Sequence, residues 1–118
     1  MTTIPVIPSL DLQRSAEFYK TYFDCQADWY DEYVVLHNTD HFSIHIWKSN
    51  DPYLCINSGF YLRVKNVDAM FERLNIPGVI HPNGQLETKP WGMKEFAITD
   101  PDGNLVRIGE YQVKNATA

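Results

Sequence analysis

The 118-residue chain is 44% apolar and carries 15 acidic against 10 basic side chains, for a net charge of −5. Its length and apolar content suit one domain with a real core and exclude extended disorder. Phosphate binding needs clustered cations that displace counterions, and no Lys/Arg run exists, so nucleic acid is excluded as a partner.

With 14% of residues aromatic, the acidic balance favours a cationic, partly planar ligand, unless it serves solubility alone. No apolar run could span a bilayer. The opening "MTTIPVIPSL" lacks the basic start and apolar block of a signal peptide, so the cytoplasm is the expected compartment. Cys25 and Cys55 stand in no CxxC or Cys/His spacing, which fits reduced, buried thiols and gives no zinc signal.

In chain order, "TIPVIPSL" reads as extended, with Pro5 and Pro8 confining it to a sheet edge or to a strand exchanged with another chain. "DLQRSAEFYKTYFD" reads as a helix capped by Asp11, with Leu12, Ala16, Tyr19 and Phe23 on one face. Three short strands follow, "ADWYD", "YVVLHN" and "HFSIHIWK", and then "KSNDPYLCINS", which reads as a linker.

The extended "GFYLRVK" opens the second half. Behind Asn66, "NVDAMFERLNIPG" sets Val67, Met70, Phe71 and Leu74 on one helical face, and Pro77-Gly78 ends the helix. The strands "LETK", "KEFAIT" and "NLVRIGEY" complete the chain. The order β-α-β-β-β therefore occurs twice, which predicts an α+β fold of two βαβββ modules forming a cupped mixed sheet. The expected organisation is a single domain over residues 1–118, its first module spanning 1–50 and its second 58–113.

"TDPDGN" is a turn with a local cause for each residue. Asp100 can cap it, Pro101 pre-sets a φ angle, and Gly103 supplies a positive φ between paired strands. Alternation then puts Phe96, Ile98, Val106 and Ile108 on a face that packs on a helix. The opposite face gathers Glu95, Ala97, Thr99, Leu105 and Arg107, with Tyr61 and Arg63 in one strand and Ser43, His45 and Trp47 in another. That mixture of aromatic and polar groups is a candidate ligand cup.

The repeated βαβββ order, the opening "IPVIPSLDLQRSAEFY", the "DEYVVL" stretch and the closing "PWGMKEFAITDPDGNLVRIGE" resemble the vicinal oxygen chelate superfamily. Within it they are most similar to bleomycin-resistance proteins. The superfamily's enzymes hold a divalent metal with His, Glu or Gln at four positions, which fall here at about Ile4, His45, Gly59 and Arg107. Only His45 could coordinate, and Arg107 is a permanent cation that would repel a metal. Glu110, three residues further along the strand, points to the other face. No metal, cofactor or catalytic residue is expected. The alternative is a metal-dependent enzyme of glyoxalase, lyase or dioxygenase type that recruits an ion through His45.

The bleomycin-resistance resemblance implies a binding protein that sequesters its drug without chemistry. It implies a homodimer whose N-terminal strands exchange at a proline matched by Pro5, with clefts at the dimer interface. The ligand would be a cationic glycopeptide with a flat ring system, held between Trp91 and Tyr33, with Asp31 and Glu32 facing its positive tail and Gly92 leaving the indole open. Trp47, Tyr61 and His45 share the expected cup face. Arg63 and Arg107 depart from the pattern, because they add positive charge to the cup and leave room for another aromatic or anionic ligand.

Overall fold

The computed structural model describes residues 1–112; Val113, the expected end of the second module, lies outside the described residues. The first sheet contains β1 (Val6–Ser9), β2 (Gln26–Tyr30), β3 (Tyr33–His37) and β4 (Ser43–Lys48), ordered β1-β4-β3-β2. The second contains β5 (Gly59–Arg63), β6 (Glu87–Thr88), β7 (Met93–Thr99) and β8 (Leu105–Tyr111), ordered β5-β8-β7-β6. Helix α1 (Leu12–Phe23) follows β1, and α3 (Val67–Leu74) follows β5, so the duplicated order read from the sequence is present. Among the described residues no helix is long and apolar enough to cross a membrane.

The stretch expected to be a linker contains a further short helix, α2 (Pro52–Ile56). Asp51 caps it by accepting from the Tyr53 amide, and Pro52 occupies its first turn, where a missing N–H costs nothing.

By contacts the chain forms two compact units. One comprises Met1–Gly59 together with Asp100–Leu105, and the other, among the described residues, comprises Phe60–Thr99 and 106–112.

In the first unit, Asp11 caps α1 through its carboxylate, which accepts from the Arg14 amide at 3.1 Å. Ala16, Tyr19 and Phe23 are buried, and Phe23 stacks on Phe42 with ring centroids 5.2 Å apart. They cover Ile7, Val34, Leu36, Ile44 and Ile46, all at most 1% exposed. Burial of such side chains contributes about 1.5–3 kcal/mol each. β1 is an edge strand, parallel to β4, as its prolines require.

The "DPDGN" turn folds as its sequence predicts. Asp100 Oδ1 accepts from the amides of Asp102 and Asn104, each at 3.0 Å, and Gly103 has φ +93°. Its Asp100, Asp102 and Asn104 are also buried within the first unit. The Tyr19 hydroxyl donates to Asp100 Oδ2 at 2.8 Å, and Asn104 Nδ2 donates to the Pro8 carbonyl at 2.9 Å. Asp102 Oδ1 accepts from the Leu10 amide at 3.0 Å and from Arg14 at 2.6 Å.

In the second unit Asn66 caps α3 by accepting from the Ala69 amide at 3.1 Å, and Glu110 Oε1 accepts from the Val67 amide at 2.9 Å. Phe71 of α3 meets Phe96 edge to face at 5.2 Å, above a core that includes Val67, Leu74, Ile98 and Ile108. Glu110 is thereby engaged on the helix side, as the strand alternation requires.

Candidate functional site

The first unit presents an aromatic row across its sheet. Register sets Tyr30 opposite Tyr33, Tyr33 opposite Trp47, and Trp47 opposite Pro8, so the three rings share one face. Tyr30 is 64% exposed and Trp47 36%, whereas Tyr33 is half-buried between them. The Tyr33 hydroxyl is hydrogen-bonded to His45 Nδ1 at 2.7 Å, and the two rings meet edge to face. Asp31 and Glu32 form the turn joining β2 to β3 and are exposed at the end of this row. Glu32 has φ +57°, a left-handed conformation that costs a non-glycine residue about 1 kcal/mol or more.

Tyr33 is expected as the partner ring of Trp91 in holding the ligand. Its hydroxyl is hydrogen-bonded to His45, and the more accessible ring of the row is Tyr30, which is not among the expected site residues. Counting the pairs outward from the Asp31-Glu32 turn would have found it.

The second unit presents a different arrangement. Lys89, Pro90, Trp91 and Gly92 form a tight turn between β6 and β7, closed by the Gly92 amide donating to the Lys89 carbonyl at 3.1 Å. Gly92 has φ +87° and no heavy atom within 4 Å of an added Cβ, so the backbone conformation, not crowding, calls for glycine. Trp91 stands at the tip, 64% exposed, with the Lys89 ammonium 5.8 Å from its ring centroid.

Tyr61 donates to Glu95 Oε2 at 2.7 Å, and Glu95 is only 9% exposed. A Cβ at Gly109 would sit 2.1 Å from the Tyr61 hydroxyl oxygen, so the tyrosine reaches Glu95 through the space that Gly109 leaves vacant. Although Tyr61 as a whole is 44% exposed, its hydroxyl end is the sheltered part. Burial, then the Glu95 hydrogen bond and charge, push the hydroxyl up to about 12, with Arg63 acting in the opposite sense.

A tyrosine whose pKa is raised on folding contributes stability that is fully present below its unfolded pKa of about 10 and is lost as pH rises through about 12. Ultraviolet titration of the wild type minus Tyr61→Phe is therefore expected to show one tyrosinate forming near pH 12. A difference curve centred near 10 would deny the Glu95 contact.

Arg63 and Arg107 are exposed and have no carboxylate at salt-bridge distance among the described residues. Arg107 lines a pocket of about 80 Å³ together with Asn83, Gln85, Lys89 and Glu95.

The two rings of the expected pair divide between the units, Tyr33 in the first and Trp91 in the second. His45, Trp47, Asp31 and Glu32 accompany Tyr33; Gly92, Tyr61, Arg63 and Arg107 accompany Trp91.

The proposed metal positions can be placed by register. His45 lies opposite Val6 of β1, not Ile4, and opposite Val35 of β3. The Leu105 amide donates to the Ser58 carbonyl and the Val64 amide to the Gly109 carbonyl, a pattern that sets Tyr61, not Gly59, opposite Arg107. A Cβ at Gly59 would stand 2.0 Å from the Leu105 carbonyl oxygen, so no side chain fits there. Among the described residues no three His, Cys, Asp or Glu side chains converge on a point that could hold a metal ion.

A family model described as a glyoxalase-like domain matches residues 2–112. The chain belongs to the glyoxalase-like domain family. Curated relatives named bleomycin resistance protein, from Geobacillus stearothermophilus and Staphylococcus aureus, are 24% identical over 98% of this chain and 99% of theirs. Solved structures agree in fold. The bleomycin resistance determinant encoded on transposon Tn5 has a TM-score of 0.79 at 21% identity, covering 96% of this chain and 99% of its own. The bleomycin-binding protein of Streptomyces verticillus, solved with copper(II)-bleomycin, has a TM-score of 0.76 at 20% identity, covering 97% of each chain. The family membership and the α+β fold of two βαβββ modules thus agree with the resemblance carried by "IPVIPSLDLQRSAEFY" and "PWGMKEFAITDPDGNLVRIGE".

Proposed function

We propose that this glyoxalase-like protein binds and sequesters a planar aromatic small molecule of the bleomycin class or a related one, without catalysis. The observation that carries this reading is Trp91, a large ring held 64% exposed at the tip of a turn built by Pro90 and Gly92. Exposing so much apolar area has no folding benefit, whereas an open indole gives a flat ligand a face to stack on. Tyr30 and Trp47 supply further open aromatic area in the first unit. His45, the one side chain at the superfamily's four metal positions that could coordinate, is hydrogen-bonded through Nδ1 to the Tyr33 hydroxyl.

Sequestration needs affinity and copy number only, and the working form is a homodimer in the cytoplasm. β1 supports the dimer: it is a four-residue edge strand behind Pro5, with Val6 55% exposed, and a partner's strand could make the same backbone pairing with β4.

The test is calorimetric titration of metal-free bleomycin into protein purified without chelator, with the metal content of the same sample measured. Saturable binding near one drug per chain by a metal-free dimer is expected. A stoichiometric bound ion, or a monomer that ignores the drug, would overturn the proposal.

A further inference from the structure

We propose that the second unit's part of the site receives an anionic substituent of the planar ligand, held at Arg107 near the Trp91 ring. This deepens the binding function above and depends on it. The charge inventory of the exposed face supplies the reason. Arg63 and Arg107 have no carboxylate partner among the described residues, in a chain whose net charge is −5. Two carboxylates stand against the three cations Arg63, Lys89 and Arg107. Glu87 lies opposite Glu95 in the β6–β7 register and is paired with Lys89, and Glu95 accepts the Tyr61 hydroxyl.

Glu95 also lines the pocket but is buried, so the exposed charge there that has no carboxylate partner is the Arg107 guanidinium, with Asn83 and Gln85 beside it. Guanidinium presents a planar fork of donors that matches carboxylate, sulfonate and phosphate oxygens.

Size decides which part of a ligand enters. A pocket of about 80 Å³ is far below the roughly 300 Å³ or more that encloses a drug-sized molecule, so it fits a head group alone. Lys89 connects the two features, since the residue lines the pocket and its ammonium lies 5.8 Å from the Trp91 ring centroid. A ring stacked on Trp91 can thus direct an acidic substituent toward Arg107.

The experiment compares two probes that share a ring and differ in charge, 2-naphthoate and 2-naphthylmethylammonium, titrated calorimetrically into the full chain at low and high salt. Bleomycin is run in parallel. Naphthoate is expected to bind about tenfold or more tighter than the ammonium, with the gap narrowing in high salt. Arg107→Gln, at an exposed position that leaves the thermal midpoint unchanged, should bring the two probes to within about threefold. Equal or tighter binding of the ammonium, or a preference that survives Arg107→Gln, overturns the proposal. If neither probe binds while bleomycin does, the anionic subsite falls and the sequestration function stands; if nothing binds, both fall.

Discussion

Asp100→Ala is expected to destabilise the protein by about 3 kcal/mol or more, lowering its thermal midpoint by about 10 °C. The carboxylate accepts from the Asp102 and Asn104 amides, the Asn104 side chain and the Tyr19 hydroxyl, in a site where Asp100 is only 4% exposed. Alanine would leave the Asp102 and Asn104 amides and the Tyr19 hydroxyl without this partner, while Asn104 Nδ2 keeps the Pro8 carbonyl, and each orphan costs about 1–3 kcal/mol. Burial raises the Asp100 carboxyl above its ordinary range against the pull of those hydrogen bonds, so the charge itself is expensive to hold. Asp100→Asn removes that charge and keeps one acceptor, and is expected to cost less than half as much. Denaturant unfolding monitored by circular dichroism measures both. A loss under about 1 kcal/mol for the alanine variant would mean that the turn is not held by these contacts.

Trp91→Ala is expected to weaken ligand binding by about 10- to 100-fold while leaving the fold intact, because stacking on an aromatic ring contributes about 1–3 kcal/mol. The indole is 64% exposed and its hairpin turn is closed by backbone hydrogen bonds, so little of the structure depends on the ring. Calorimetry with bleomycin reads the affinity, and the unfolding midpoint serves as the control. Unchanged affinity with an unchanged midpoint would move the stacking site to Tyr30 and Trp47.

The elements that the sequence revealed are those whose causes are local. Asp11 and Asn66 head their helices because a side-chain oxygen meets an amide three residues ahead, and Gly103 turns the last hairpin through its own φ angle. Helix α2 was equally legible in Asp51-Pro52, a cap followed by a first-turn proline, but it is only five residues long and shows too little periodicity to stand out.

The site was less legible because its geometry depends on register between distant strands. Neither the Tyr61–Glu95 contact nor the vacancy left by Gly109 follows from either segment alone. A two-residue shift also separates the expected Ile4 from Val6 beside His45. The same holds for "DPDGN": turn chemistry explained all of its residues, so nothing in the local pattern signalled that Asp100 would meet Tyr19 across 81 positions of chain.

That last feature bears on how the protein is made. Residues 100–105 belong to the first unit, although the chain reaches them only after the intervening residues 60–99. A nascent chain that has emerged only as far as residue 59 already carries Tyr19, the Pro8 carbonyl and the Leu10 amide, but none of the side chains that satisfy them. Such a half should remain loosely packed on the ribosome, and closing contacts over so long a separation slows folding. Cutting the gene between its two βαβββ repeats would therefore divide a repeated pattern without yielding a first half that can fold to completion alone.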